Sequence, residues 1–235
     1  MKDSAEHSSL AAEAYAIVRQ RILCGEIALG QVISRRKLAA ALSMSFLPVS
    51  EALLRLEFEG LLESRPRAGT RVRIPSPEDV RGHYVVREAL EVQAAVLFTE
   101  VANDRERADV QKLAARVDAL AAEGDRHTYA AAHQKLHMRI AECSRCPALA
   151  DALEKTSVLA SSWIAAMGQP SPDESPTRHQ EFVEAIVHGD KASAAEAVRQ
   201  HMAAGMERSL SVLEPYFRAR HQRGQTFART RRIPA

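Results

Sequence analysis

The hydrophobic period changes once along this chain, and that change limits the folds open to it. In "SMSFLPVSEALLRLEFEGLL" Val49, Ala52, Leu53 and Leu56 repeat at helical spacing. In "LLESRPRAGTRVRIP" Thr70, Val72 and Ile74 alternate with Arg71 and Arg73, the period of a half-buried strand. The turn between the two predicted strands falls at Arg67-Ala68-Gly69. Ser45 is placed to cap the preceding helix, with Pro48 in its first turn and Gly60 at its end. Two more helices are predicted upstream. Leu10, Ala14, Ile17 and Val18 mark one from Leu10 to Cys24, stopped by Gly25, and Ser34 caps another that ends near Leu42.

Three helices followed by a small hairpin describe a winged helix-turn-helix over residues 10–75. "PSPED" (75–79) is the expected boundary: Ser76 caps the next helix, with Pro77, Glu78 and Asp79 in its first turn. Beyond it the signals are helical throughout, over about 78–102, 105–123, 128–143, 147–167, 177–188 and 191–213, with "GQPSPDESP" (168–176) as a long loop. The expected fold is mainly α, an N-terminal winged helix-turn-helix followed by an antiparallel all-helical bundle over 78–213. Residues 216–235 read as a flexible basic tail.

Charge is uneven along the chain. Residues 1–75 carry a net +3, residues 76–215 a net −7 and residues 216–235 a net +6, a pattern that points to an anionic partner for the ends. No apolar run reaches the ~18 residues of a membrane span, and "MKDSAEHSSL" lacks the apolar stretch of a secretory signal. The expected compartment is the cytoplasm, with no membrane partner. Cys143 and Cys146 form a lone C-x-x-C without the second pair a structural zinc site needs, and they read as a helix end before Pro147.

"HQKLH" places His133 and His137 four residues apart, on one helix face with Cβ atoms about 6 Å apart. The turn between the last two predicted helices lies at Gly189-Asp190, and His179 and His201 are each 11 residues from Asp190. In an antiparallel hairpin such residues lie side by side, roughly 16 Å from the turn. Four histidines on three helices are thus able to converge inside the bundle.

The order "GEIALG" (25–30), "KLAAAL" (37–42), "S-x-x-P-V-x-E-A-L-x-R-L-E-x-E-G-L" (45–61) and "R-x-G-T-x-V" (67–72) resembles the DNA-binding domain of GntR-type bacterial transcription regulators. "VVREALE" (85–91) resembles the opening of the ligand domain in the FadR-like branch of that family, and the likeness spans about residues 10–213. It implies a homodimer that binds a double-stranded DNA operator and responds to a small organic acid. It implies DNA contacts from Arg35, Arg36, Ser45, Phe46, Leu47, Ser50, Arg55, Arg67, Gly69 and Arg71. It also implies a divalent metal ion, zinc or nickel, on His133, His137, His179 and His201, with Arg87 and Arg139 binding the acid. The pattern "HQEFVEAIVHGD" carries His179, and "AVRQHM" carries His201.

Several positions depart from the family. His133 stands where it has Asp, which leaves a divalent site one charge more positive, and Cys146 stands where it has Asn. The recognition stretch usually reads Ser-Arg-Thr-Pro-Val-Arg; here it is Ser45-Phe46-Leu47-Pro48-Val49-Ser50, so two arginines are gone. Phe46 and Leu47 either touch thymine methyls or pack at the helix start. Two other functions stand beside the regulator: a metal-dependent enzyme on a His-rich bundle, and an interaction module whose winged helix no longer binds DNA. Against the enzyme, the chain has no H-E-x-x-H and no Gly-rich phosphate loop.

Overall fold

The computed structural model describes residues 2–65, 68–123, 126–166 and 178–230. Arg67, the 168–176 loop and the last five residues of the basic tail lie outside the described residues. The chain divides between Ile74 and Pro75 into two units, the second running to Ala219.

In the first unit, α1 (Lys2–Leu23), α2 (Arg35–Ala41) and α3 (Phe46–Phe58) surround a small sheet of β1 (Val32–Ile33), β2 (Leu62–Arg65) and β3 (Gly69–Val72). Ala14, Val18 and Ile22 of α1 are buried with Val49, Ala52, Leu53 and Leu56 of α3, the stripe that the helical spacing singles out. Across that contact Tyr15 donates to the Glu59 carboxylate at 2.8 Å, and the Arg55 guanidinium lies 3.8 Å from the centre of the Tyr15 ring. The sheet is antiparallel in the order β1-β3-β2, with Leu62 opposite Val72 and Ile33 opposite Thr70. β1 is a strand beyond the two expected, and Gly69 begins β3 at φ 76°, a conformation an L side chain rarely adopts.

The second unit contains α4 (Pro77–Val101), α5 (Asp104–Glu123), α6 (Arg126–Cys143), α7 (Pro147–Ala166), α8 (Arg178–His188) and the first part of α9 (Lys191–Thr230). Ser76 and Asp79 form a reciprocal cap at the start of α4, Asp79 N donating to Ser76 Oγ at 3.0 Å and Ser76 N to Asp79 Oδ2 at 2.8 Å. Gly189 makes the α8–α9 turn, since a Cβ there would stand 2.2 Å from the Ala185 carbonyl oxygen. Cys143 ends α6 and Pro147 begins α7; all three cysteines are free. One guanidinium closes two helix ends. Arg107 of α5 donates to the carbonyls of Thr99 (2.8 Å) and Ala102 (3.2 Å) at the end of α4, and to Val187 O at the end of α8. A fixed cation there also suits the negative end of each helix dipole.

Two helices outrun their predicted bounds. α1 begins at Lys2, and α9 continues through Pro215 to Thr230. A proline inside a helix removes one bond, here to the carbonyl four residues back at exposed Ser211. Arg218 and Glu214 pair across that point, and the helix continues past its expected end at about 213.

Candidate functional site

α4 buries Val80, Tyr84, Arg87, Glu91, Ala94, Ala95 and Phe98 along one face. Two charges therefore lie inside the bundle. Arg87 Nη2 stands 2.6 Å from Glu91 Oε1, a close ion pair that is not aligned as a hydrogen bond. The other Glu91 oxygen accepts from His137 Nδ1 at 2.5 Å. Burial alone would raise the Glu91 carboxyl, but Arg87 and His137 hold it down at about 2. An ionised carboxylate only accepts, so a proton of His137 is on Nδ1, and it is Nε2 that a neutral ring offers to a metal.

The same device recurs one helix away. Asp118 of α5 accepts from His179 Nδ1 at 2.6 Å and from the backbone N–H groups of His179 (3.1 Å) and Gln180 (3.0 Å). It thereby closes the open start of α8 while fixing the tautomer of its first histidine. Burial pushes Asp118 up, and its bonds to His179 and the amides bring it below its usual value. His179 Nε2 is buried with no hydrogen-bond partner.

These nitrogens face two more imidazoles. His133 Nε2 lies 3.2 Å from His137 Nε2, and ligand nitrogens of His133, His137 and His201 are all within 4.8 Å of one another. His179 adjoins this triad, its ring centre 5.2 Å from those of His133 and His201. Burial, then the neighbouring imidazoles, holds His133 and His201 well below the usual 6.5, and burial lowers His179 as well. The quartet expected from spacing thus comes together. His133, the residue that departs from the family, sits within the tight triad, and His179 sits at its edge.

The donor set fits a divalent ion. Zinc–nitrogen bonds of about 2.0–2.1 Å put tetrahedral ligands about 3.3 Å apart, close to the His133–His137 separation. Two carboxylate-held imidazoles and one orphaned buried nitrogen are the arrangement metal-binding histidines favour. His201 and His133 open on a small cleft that also takes in Tyr84, Tyr129, Arg178 and Arg208. Arg178 donates to Tyr129 Oη at 3.2 Å, and Tyr84 is hydrogen-bonded to Ser209 at 2.8 Å. Arg87 is in this cleft but Arg139 is not: Arg139 meets Asp109 at 3.4 Å and Glu142 at 3.6 Å. Two residues past His137 is a rotation of about 200° around the helix, which carries Arg139 to the far side. Glu91, Asp118, Arg178 and Arg208 escape a sequence reading, although Glu91 stands at i+4 from Arg87 and Arg178 directly precedes His179.

In the first unit, Ser34 Oγ caps α2 by accepting from Lys37 N, and exposed Arg36 follows, while Arg35 reaches Thr70 at 3.3 Å. Ser45 occupies the N-cap of α3, but its hydroxyl makes no capping bond. Phe46 and Leu47 are each 58% exposed, so packing does not account for them. Ser50 Oγ turns back to Phe46 O at 2.8 Å. Arg55, expected at DNA, pairs with Glu59 and covers Tyr15. Arg71, also expected there, is bound across the hairpin to Glu63 at 2.6 Å and is only 14% exposed.

A winged helix-turn-helix joined to a helical domain with an internal imidazole cluster defines a two-domain DNA-binding transcription regulator. The chain belongs to the GntR family of bacterial regulatory proteins, whose pattern matches residues 10–72, and carries an FCD domain over residues 83–204. It is similar to the "Probable D-xylose utilization operon transcriptional repressor" of Paenarthrobacter nicotinovorans, 29% identical over 84% of this chain and 87% of the relative. It is also 33% identical to the transcriptional repressor RspR of Escherichia coli K12, over 37% of this chain and 40% of that one. A GntR regulator from Rhodococcus sp. RHA1 shares the fold, with TM-score 0.75 and 21% identity over 86% of this chain and 98% of its own. So does E. coli McbR/YncC, with TM-score 0.64 and 22% identity over 88% and 98%. The family and these relatives are regulators rather than enzymes, and the metalloenzyme and the DNA-incompetent module give way to that finding. Among the described residues no single helix is long and apolar enough to cross a membrane.

Proposed function

We propose that this protein is a cytoplasmic, homodimeric, metabolite-responsive regulator whose operator affinity is set by a small organic acid at a metal site in the helical domain. The observation that carries the reading is the pair of carboxylate-held imidazoles, with His179 Nε2 buried and unpartnered. His133, His137, His179 and His201 hold zinc or nickel, since imidazole nitrogen suits both. A divalent ion held there would supply a Lewis-acid centre, and carboxylate oxygens would bind it where its coordination number exceeds four. Arg87, held by Glu91, sets the potential of the cleft, and Arg178 and Arg208 face the part of the acid away from the histidines. With His in place of Asp at 133 and two further arginines in the cleft, the site suits an acid with a second anionic group. Binding of the acid alters operator affinity by favouring one of two arrangements of the dimer. Support for a dimer comes from α4, where Val85 and Val86 are 67% and 48% exposed.

Elemental analysis of gently purified protein tests the reading. Wild type holds about one divalent ion per chain. His179→Ala loses metal, acid binding and thermal stability together, while the N-terminal unit keeps its fold. A wild type that neither carries a stoichiometric ion nor takes one up ends the proposal. For the acid, metal-loaded wild type binds a dicarboxylate such as succinate more tightly than acetate, and Arg208→Gln removes that preference without removing metal.

A further inference from the structure

We propose that this protein reads its operator through thymine methyl groups, received by Phe46 and Leu47 at the start of α3. In a helix-turn-helix the second helix enters the major groove with its N-terminal residues nearest the base edges. In this chain that end of α3 is apolar and exposed. Phe46 and Leu47 are each 58% exposed, and Leu54, two turns on from Leu47, is 64% exposed. None of them is needed by the core, which α3 serves with Pro48, Val49, Ala52, Leu53 and Leu56.

The cation and amide that read purines are spent or missing on the same helix. Reading guanine takes a cation that donates twice to O6 and N7, and reading adenine takes an amide. Residues 45–59 contain no Lys, Asn or Gln, and their one Arg is Arg55. Arg55 lies over Tyr15 and pairs with Glu59 at 3.2 Å. The Ser50 hydroxyl donates to Phe46 O, within its own helix. What such a surface distinguishes in the major groove is the thymine C5-methyl, the apolar feature there. Affinity for the phosphates then comes from other elements, with Arg36 and Lys37 exposed on α2.

The test separates the methyl from everything else about the base. Duplexes selected by full-length wild type from a random library give a consensus, and each of its thymines is then replaced by deoxyuridine, which lacks only the methyl. At one or two positions per half-site the replacement weakens wild-type binding by about fourfold, the worth of one buried methyl. Phe46→Ala and Leu47→Ala bind the thymine duplex less well and no longer distinguish it from the uracil duplex. Both side chains are exposed, so the variants melt like wild type by circular dichroism. The proposal is overturned if no thymine is sensitive, if the selection returns no consensus, or if both variants keep the full thymine preference. It is equally overturned if the variants bind DNA normally but change the oligomer mass, which would make this surface a protein contact.

Discussion

Asp118 makes four hydrogen bonds, two to His179 and two to Gln180, and so does two tasks with one carboxylate. Asp118→Asn puts an amide against four donors. We expect metal affinity to fall by about 10–100-fold, the usual effect of losing such a partner, read by competition against a chelator of known affinity. Unchanged affinity would mean that His179 does not depend on Asp118. The histidines themselves were legible in the sequence because helical spacing places them: i and i+4 on α6, and equal distances from the Gly189 turn on α8 and α9. Asp118 was not legible, because its partner is 61 residues away and nothing in the pattern of α5 marks which of its acids turns inward. Arg139 shows the same limit from the other side. A residue close to a ligand in sequence lies on the opposite face of the helix when the interval is two.

At the scale of elements, the winged helix-turn-helix was readable from one change of period, while β1 was not, since two residues carry no period at all. The wing arginines divide by what they touch. Arg71 is held by Glu63, so Arg71→Ala lowers the stability of the N-terminal unit by up to about 1 kcal/mol and leaves the salt dependence of DNA binding unchanged. Arg36 is exposed on α2, and Arg36→Ala weakens binding to all sequences and lowers the salt slope by about one. Titrations at several salt concentrations distinguish the two; a lower slope for Arg71→Ala alone would reverse these assignments. Helix ends were the least legible part. The last predicted helix ends at about 213, yet the Glu214–Arg218 pair spans Pro215 and α9 goes on.

For the whole molecule, light scattering at micromolar concentration should return about twice the 25.9 kDa chain mass, as a two-fold symmetric operator would require. A monomer with full operator affinity would exclude the dimer. Stability should also depend on pH in a definite direction. Burial, then Arg87, lowers His83 to about 4, and His133, His179 and His201 are lowered too. Unfolding returns each to about 6.5, so below that pH the unfolded chain binds more protons and stability falls as pH drops towards 4. Depressed carboxylates act lower, Glu91 losing its contribution as pH falls towards 2. Chemical melts between pH 7.5 and 4.5, with chelator present throughout, should show the decline begin near 6.5, and His83→Gln should make it shallower. A flat profile would mean that these imidazoles titrate alike folded and unfolded. Arg107 carries a different consequence for the molecule as a device. One stiff, permanently charged fork is tied to the ends of both α4 and α8, so a shift of either helix alone would strain its bonds to Arg107. A displacement at His179 would then reach α4, which begins at Pro77, directly after the boundary between the units. Arg107→Lys keeps the charge but grips fewer carbonyls at once, and should leave acid affinity intact while the operator hears less of it.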